Sequence, residues 1–360
     1  MTLFWNTSAS ILFRWLFIIT GNFSACRSKQ LPHHQTARSL AVFCRLMATI
    51  NFTRDENHQP TFQQVYCLEV LTGPIHNHLT IFSVINLLLS ITAFLGNALI
   101  LVALRRELSL HPPSKVLYCS LATTDLLAGL VSEPLYVIYL ISVVTKRWDI
   151  CPYAFTSAFI AGYLLGSVSF LTMTSISLDR LLALLLRVSY RQVVTLKRMY
   201  ATVLTIWVVS IAAAAMYFWN YLITLFYSYI FIPLCLVTSI SSYTKIFRTL
   251  RHLRNPIQPE EPPNQAAPTL NIARYRKAVS SSLWIQSTLI ICYLPFVLDG
   301  IVGRLLSSQN DVSSSELLGK VYTITLVYLN SSLNPILYCW KIRELREAAK
   351  GTIRRVVCRL

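Results

Sequence analysis

The sequence predicts an all-α fold: an integral membrane bundle of seven transmembrane helices, followed by a C-terminal interfacial amphipathic helix. Composition is the first reason, because 54% of the 360 residues are hydrophobic and 13% are charged, whereas a soluble domain has about 25% charged residues. The second reason is that seven apolar segments are long enough to cross a lipid bilayer, which takes about 20 helical residues. The bilayer is therefore expected to surround most of the chain.

The segment before the first span, residues 1–79, is predicted to be extracellular. It contains three N-glycosylation sequons, which fit an extracellular segment. They start at Asn6, Asn22 and Asn51. Two interpretations of residues 1–46 stay open, a signal peptide or an upstream extension ahead of a start at Met47. Arg14 interrupts the apolar run of this stretch and favours the extension.

The seven spans make up a transmembrane domain of residues 80–340. Each must be a helix, because backbone amides inside a bilayer can only be paired within the protein. The spans are predicted near residues 80–104, 116–144, 151–186, 200–219, 221–247, 276–302 and 318–339. Almost no loop separates the fourth span from the fifth, which predicts a tight hairpin. The loop from about 255 to 271 is rich in proline and polar residues, which predicts disorder.

The distribution of basic residues predicts how the bundle is oriented. Lysine and arginine concentrate in the loops after the first, third and fifth spans and after the seventh. The positive-inside rule places these loops in the cytoplasm. We therefore expect a multi-pass plasma-membrane protein with an extracellular N-terminus. Topology and anionic lipid account for the net charge of +17, so nucleic acid is not expected as a partner.

Residues 341–360 follow the seventh span and alternate charged with apolar residues. Ile342, Leu345 and Ala349 recur at positions i, i+3 and i+7, which makes one apolar helical face. This pattern predicts a helix that lies at the membrane interface. Cys358 is open to palmitoylation or to remaining an unmodified thiol.

Polar residues within the predicted spans are costly in a bilayer and therefore mark candidate functional positions. Every span has at least one such feature. The features are Gly96-Asn97 in the first span, Asp125 in the second, Ser169 and Asp179-Arg180 in the third, Trp207 in the fourth, Tyr243 in the fifth, Cys292-Tyr293-Leu294-Pro295 in the sixth, and Asn330 to Tyr338 in the seventh.

This ordered set resembles the rhodopsin-like (class A) family of G protein-coupled receptors, from about residue 80 to 350. The stretch from Asn330 to Tyr338 is the most specific part of the resemblance. Within the family, the chain looks most like the melanocortin and adenosine receptor group. The short fourth-to-fifth connection, Leu178-Asp179-Arg180 and Tyr338-Cys339-Trp340 carry that likeness.

The resemblance implies a receptor that transmits an extracellular ligand signal to heterotrimeric G proteins by outward movement of the sixth helix, and not an enzyme. A seven-helix transporter or channel is the alternative, but transporters more often show internal repeats and paired broken helices. The residues that the resemblance assigns to the coupling switch are Asp179, Arg180, Tyr243, Tyr293, Pro295, Asn334, Pro335 and Tyr338. Pro295 and Pro335 also predict kinks in their helices.

Many family members carry an acidic partner for the arginine on the sixth helix. Tyr275 stands at that position here. The resemblance therefore implies that Asp179 restrains Arg180 alone, and we expect elevated basal signalling.

A buried carboxylate in the second span needs a cation or hydrogen-bond donors. Four residues can converge on such a site at mid-membrane, namely Asp125, Ser169, Ser331 and Asn334. In the family this position holds a sodium ion that favours the inactive state, and a protonated Asp125 within a hydrogen-bond network is the alternative. No other metal and no organic cofactor is expected.

The cysteines depart from the family pattern. The family usually bonds a third-helix cysteine to the loop after the fourth span, but that loop contains no cysteine here. Cys151 either bonds to Cys67 in the N-terminal segment, where oxidation is allowed, or both remain free thiols.

Two residues that particular classes of receptor carry are absent from this sequence, and each absence argues against one class of ligand. An amine receptor would carry an aspartate at the position of Gly162, and an opsin would carry a lysine at that of Tyr328. The candidate ligand contacts are Glu133, Tyr163, Tyr227, Asp299, Tyr322 and Tyr328. Glu133 and Asp299 could meet a cationic ligand, and ordinary packing between helices is the alternative for each residue.

Overall fold

The structure is a computed structural model that describes residues 66–67, 69–106, 111–186, 189–219, 221–254, 284, 286–300, 313–341 and 343–357. Every regular element in these ranges is helical, which confirms the predicted all-α class. The chain divides into two units, Met1–Gln59 and Pro60–Leu360, and all described residues belong to the second. The three sequons, Tyr275 and Cys358 lie outside the described residues.

Eight long helices are numbered here in chain order. They are α1 (His76–Arg106), α2 (Pro112–Leu127, continued by Ala128–Ser132 and Glu133–Val144), α3 (Cys151–Leu186), α4 (Leu196–Trp219), α5 (Tyr221–Arg254), α6 (Gln286–Gly300), α7 (Ser314–Lys341) and α8 (Arg343–Val357). Short pieces of helix precede α1, at Glu69–Thr72 and Gly73–Ile75, and follow α3, at Tyr190–Val193.

Five helices among the described residues are long and apolar enough to cross a membrane, namely α1 to α5. In α6 the described part is a shorter apolar helix, because residues 276–283 and 301–302 of the predicted span are not described. Helix α7 has 28 residues, but buried polar side chains lower its hydropathy. They include Thr323, Thr325, Asn330, Ser331, Ser332 and Asn334.

The first helix shows why the bundle suits a bilayer. On α1 the polar residues Ser83, Asn86 and Asn97 are buried, whereas the apolar Leu88 and Leu95 are exposed. A soluble helix has the opposite arrangement. Polar side chains therefore face neighbouring helices, where they form hydrogen bonds, and apolar side chains are left for lipid tails.

Small residues and short polar contacts hold α1 close to its neighbours. A Cβ atom placed on Gly96 would lie 2.9 Å from Pro335 Cγ, so only glycine lets α1 approach the proline of α7 this closely. Asn86 Nδ2 donates to Thr325 Oγ1 of α7 over 3.0 Å. These contacts place α7, with its motif around Pro335, against the rest of the bundle.

Helix α2 contains a π-helical segment, Ala128–Ser132, just before Pro134. Proline has no N–H and clashes with the preceding turn, so a widened turn relieves the helix at this point. The Gly129 carbonyl accepts a hydrogen bond from Ser90 Oγ over 2.7 Å. The segment rotates the following residues, including Glu133, relative to a regular helix.

The final helix, α8, packs against α1 and α7. Leu345 and Ala349 are buried on it, whereas Arg354 and Arg355 are exposed. This apolar and basic division agrees with the predicted interfacial helix; the side chain of Ile342 lies outside the described residues.

Candidate functional site

We call the end of the bundle that holds Asp179 and Arg180 the arginine end, and the opposite end, where Cys151 begins α3, the disulfide end. At the arginine end, the Asp179 carboxylate is 1% exposed and the Arg180 side chain is 16% exposed. Arg180 Nη2 donates to Asp179 Oδ2 over 2.6 Å. The two neighbouring residues therefore form a buried ion pair in the last turns of α3.

Two further donors hold the same carboxylate. Ser114 Oγ, in the first turn of α2, donates to Asp179 Oδ2 over 2.9 Å. The hydroxyl of Tyr190, in the short helix after α3, donates to Asp179 Oδ1 over 2.7 Å. A buried carboxylate is stabilised when several donors satisfy its oxygens. Sequence reasoning missed both donors, and so understated how firmly Asp179 is held.

The surroundings keep Tyr190 in its neutral, donating form. Burial raises the pKa of the Tyr190 phenol above its usual range, and the Asp179 carboxylate adds to this increase. The ring of His111, directly before α2, lies 5.3 Å from the Tyr190 ring. Burial lowers the pKa of His111 below its usual value, against the opposing effect of Asp179, so this imidazole is neutral at pH 7.

Helix α6 is fastened to α3 one turn away from Arg180. Ser177 Oγ donates to Gln286 Oε1 over 3.1 Å, and both residues are buried. The sequence predicted no restraint from the sixth helix, because Tyr275 stands where the family's acidic partner would be. A neutral hydrogen bond between two buried side chains supplies a restraint that a search for charges does not find.

A second contact joins Trp284, two residues before α6, to the end of α7. The Trp284 ring lies 5.4 Å from the Trp340 ring. Lys341 Nζ lies over both rings, 3.5 Å from the Trp340 centroid and 4.5 Å from the Trp284 centroid. Cations are attracted to indole faces. This group, the Trp284–Trp340–Lys341 clasp, is half-exposed at the rim of the bundle and was not predicted.

All three predicted switch tyrosines, Tyr243, Tyr293 and Tyr338, are buried. Tyr338 is fully buried in α7, and the Tyr118 ring meets it edge to face at 5.8 Å. Within the described part of the chain, the Tyr338 hydroxyl makes no hydrogen bond. Tyr243 is buried in α5. Tyr243 and Tyr338 therefore both lie in the interior of the bundle.

The middle of α6 packs directly on α3. The Tyr293 ring meets Phe170 edge to face at 4.2 Å. A Cβ atom on Gly166 would lie 3.9 Å from the Tyr293 hydroxyl, so α3 leaves room for the tyrosine. Pro295 follows in the same turn and is half-buried. Packing on α3 therefore changes whenever α6 moves about this point.

Three of the four predicted sodium-site residues form one connected group. Ser331 Oγ donates to Asp125 Oδ1 over 3.0 Å, and Asn334 Nδ2 donates to Asp125 Oδ2 over 2.7 Å. Ser169, the fourth, is buried. Within the described residues, Ser169 Oγ and Asn334 Oδ1 have no hydrogen-bond partner. Buried oxygens without donors, beside a carboxylate, suit a hard cation.

The six candidate ligand residues fall into separate places. Tyr163 and Tyr227 have ring centroids 6.0 Å apart, between α3 and α5. Glu133 and Tyr328 lie between α2 and α7, as described below. Asp299 approaches α7 so closely that a Cβ atom on Gly319 would lie 3.0 Å from Asp299 Oδ1.

Tyr322 does not join the other candidates. Its side chain is 46% exposed and meets the Phe82 ring of α1 edge to face at 4.5 Å. This position lies on the outside of the bundle, between α1 and α7. Tyr328, by contrast, is buried, so the two candidate tyrosines of α7 lie in different surroundings.

The disulfide end is closed by the residues just before α1. Cys67 and Cys151 form a disulfide with Cα atoms 6.0 Å apart, which is one of the two alternatives left open by the sequence. The Tyr66 ring stacks on Phe155 at 4.9 Å. Its backbone oxygen accepts from the Tyr139 hydroxyl over 3.2 Å, and its own hydroxyl accepts from Lys320 Nζ over 2.7 Å. Tyr66 thus bridges α2, α3 and α7.

Comparison with known proteins places this geometry among membrane receptors. The family model described as 7 transmembrane receptor (rhodopsin family) matches residues 96–222 and 214–338. The chain is 23% identical to an adenosine receptor A2a from Canis lupus familiaris, over 78% of this chain and 73% of that protein. It is 25% identical to a 5-hydroxytryptamine receptor 1B from Equus caballus, over 74% of this chain and 84% of that protein. An adenosine receptor A3 from Ovis aries is 24% identical, over 73% and 86% respectively.

Proposed function

The chain belongs to the rhodopsin family of seven-transmembrane receptors, and on that premise we propose that it passes an extracellular ligand signal to a heterotrimeric G protein by outward movement of α6. Receptor signalling through G proteins is the activity of the family, and the relatives are receptors and not enzymes. The observation that carries the proposal is the buried Asp179–Arg180 pair at the end of the bundle where α6 is fastened to α3 and α7.

The proposal places the arginine end in the cytoplasm and the disulfide end, with the N-terminus, outside the cell. The concentration of basic residues in the loops of the arginine end supports this orientation. The Cys67–Cys151 disulfide supports it independently, because such bonds persist in oxidising surroundings.

Activation would be a shift between two populations of the bundle. In the resting state the Ser177–Gln286 hydrogen bond and the Trp284–Trp340–Lys341 clasp hold the cytoplasmic end of α6. A ligand that binds the open state more tightly favours it by the difference between its two affinities. Opening breaks both contacts, and Pro295 lets the helix bend above them. The Arg180 side chain is then available to the G protein.

We further propose that a sodium ion regulates this equilibrium. Asp125, Ser169, Ser331 and Asn334 would hold it, since the carboxylate and the oxygens without donors fit a hard cation. The ion supplies positive charge to a buried carboxylate. These residues lie on α2, α3 and α7, so a bound sodium ion would favour the resting packing of the three helices.

A nucleotide-exchange screen tests the proposed function. Purified receptor in lipid nanodiscs is mixed with each main class of G protein, and basal exchange is measured. We expect at least one class to exceed protein-free discs, and the Arg180→Ala variant to lose this excess while it keeps the unfolding temperature of the wild type. Exchange at the level of empty discs for every class would contradict the proposal.

A further inference from the structure

Glu133 is a buried carboxylate that the described residues leave without a hydrogen-bond partner. The residue is 0% exposed, and neither carboxylate oxygen has a hydrogen-bond partner among the described residues. Asp125, two turns earlier on α2, is equally buried but receives two donors. Asp125 is therefore held by donors from α7, whereas Glu133 receives no donor from the described residues.

No positive side chain neutralises Glu133 within the described residues. The ion pairs found there involve other acids, and the nearest helix-borne lysine on α7, Lys320, is paired with Glu316. Among the described residues, the ionisable side chains close enough to Glu133 to interact with its charge include Asp125 and Tyr328. An ionisable side chain without a partner inside a membrane protein is costly to charge and marks a candidate functional site.

The surroundings of Glu133 offer hydroxyls and aromatic rings. Ser132 Oγ and the Tyr328 hydroxyl lie 2.9 Å apart. The Tyr136 ring lies 5.5 Å from the Tyr328 ring. Opposite them, α3 presents Gly162, where a Cβ atom would lie 3.2 Å from each of the two hydroxyl oxygens. Any larger residue would crowd this group from α3.

We propose that Glu133 is the counter-ion for an organic ammonium group of the activating ligand, bound among Ser132, Tyr136 and Tyr328 beside Gly162. The inference rests on the proposed receptor function and names the chemical class of its ligand. The carboxylate that binds the ammonium group is supplied by α2, while the facing position on α3 is Gly162, whose lack of a side chain lets the Ser132 and Tyr328 hydroxyls approach α3.

The composition of the group favours an ammonium ion over an inorganic cation. Hard cations such as calcium take six to eight oxygen ligands, and the cluster at Glu133 offers few oxygens beside two aromatic rings. An ammonium group is satisfied by one carboxylate, a few hydroxyls and aromatic faces. The oxygen-rich site at Asp125 differs from it in this respect.

The site is closed in this structure by the residues at the disulfide end. Tyr139 lies one turn above Tyr136, and its hydroxyl is bonded to the backbone of Tyr66. The Cys67–Cys151 disulfide fixes that segment to α3. Among the described residues, Tyr66 and the disulfide therefore cover the site from the disulfide end.

Thermal unfolding of the purified full-length chain tests the site. The probes are 2-phenylethylamine, which carries an ammonium group, and 2-phenylethanol, its neutral analogue, both at millimolar concentration. We expect only the amine to raise the unfolding temperature of the wild type. The Glu133→Gln variant should lose this rise, and Asp149→Asn, a matched change at an exposed acid of the loop between α2 and α3, should keep it.

A second variant covers the case in which Glu133→Gln does not fold. Glu133→Asp keeps the charge but withdraws it by one methylene, and the amine concentration for a half-maximal rise should increase by about tenfold. An equal rise with both probes, no rise in the wild type, or an unchanged rise in the Glu133 variants would overturn the proposal. If Glu133 is simply protonated and binds no ammonium group, the two probes should likewise change the unfolding temperature equally.

Basal nucleotide exchange on the same preparation separates this inference from the proposed function. Exchange without an amine effect on unfolding contradicts the ammonium site alone. An amine effect with no exchange for any G protein contradicts the receptor function and leaves the binding site standing.

Discussion

At the scale of single residues, the resting state depends on how the Asp179 carboxylate is held. Ser114, Tyr190 and Arg180 all donate to it. The carboxylate is therefore a junction between α2, α3 and the loop after α3. We propose that the two neutral donors hold the carboxylate that binds Arg180, and so compensate for the absence of an acid at Tyr275.

The strength of these contacts predicts an order of effects on basal activity. Asp179→Asn removes the charge that holds Arg180, and should raise basal nucleotide exchange most. Tyr190→Phe removes one donor to a charged group, a bond that contributes about 1.5–3 kcal/mol, or a factor of about 10 to 150, and should raise basal exchange by less than Asp179→Asn does.

Tyr153→Phe is the control for Tyr190→Phe, because Tyr153 is exposed at the disulfide end. It should leave basal exchange unchanged. Wild-type exchange in both Asp179→Asn and Tyr190→Phe would show that the junction does not restrain the receptor.

Asp125 predicts a second residue-scale effect. If the carboxylate binds sodium together with Asn334 and Ser169, sodium chloride should raise the unfolding temperature of the wild type more than choline chloride at equal ionic strength. The Asp125→Asn variant should lose the difference, because the amide carries no charge for the ion. Equal responses of the wild type to the two salts would contradict a sodium site.

At the scale of elements, α6 is the helix whose attachment is open to change. Among the described residues, its polar and cation–π contacts toward the arginine end are one buried hydrogen bond to α3 and one half-exposed clasp to α7. Both are weak compared with the packing of a helix along its length. A modest difference in ligand affinity between the two states is therefore enough to move α6.

The clasp predicts a coupled effect of two tryptophans. Trp284→Ala and Trp340→Ala should each raise basal exchange by about 2- to 10-fold, since an aromatic pair with a cation contributes about 1 kcal/mol. The double variant should show little further increase, because either change already breaks the clasp. Leu298→Ala, at an exposed position of α6, is the control. Additive effects of the two tryptophans would mean that they act separately.

The sequence predicts the elements well where apolar length decides them. The third span was predicted at 151–186, and α3 is Cys151–Leu186. The fourth was predicted from residue 200, but α4 begins at Leu196 because its first turn carries Lys197 and Arg198 beyond the apolar core. The fifth continues past the predicted residue 247 to Arg254 for the same reason. Helical ends outside the bilayer are polar, so hydropathy underestimates them.

At the scale of the whole molecule, contacts between distant parts of the chain were hardest to predict. Asp125, Ser331 and Asn334 come together as expected, because their motifs are specific. The partners Ser177 and Gln286 carry no such signal, since each is an ordinary polar residue until two helices meet. The same holds for Tyr190 and Ser114 around Asp179. The π-helical turn before Glu133 likewise arises from packing and proline geometry.

The disulfide predicts a whole-molecule effect on stability. Cys67 and Cys151 are separated by 84 residues in sequence, and removing a native disulfide typically costs about 2–5 kcal/mol. A reductant should lower the unfolding temperature of the wild type, and should have no further effect on the Cys67→Ser/Cys151→Ser variant. Cys119→Ser, which removes a free thiol, should behave as the wild type. A wild type insensitive to reductant would contradict a structural role for this bond.

The central claim is that α6 leaves α3 and α7 when a G protein binds. The most direct test is the distance between spin labels, introduced through non-natural amino acids, at Ser287 on α6 and Tyr200 on α4, both of which are exposed. Distances are compared for the receptor alone and in complex with nucleotide-free G protein. We expect the distribution of label-to-label distances to shift to longer values in the complex, and to shift partially in the Trp284→Ala variant without G protein. An unchanged distribution in a complex that forms and exchanges nucleotide would contradict the central claim.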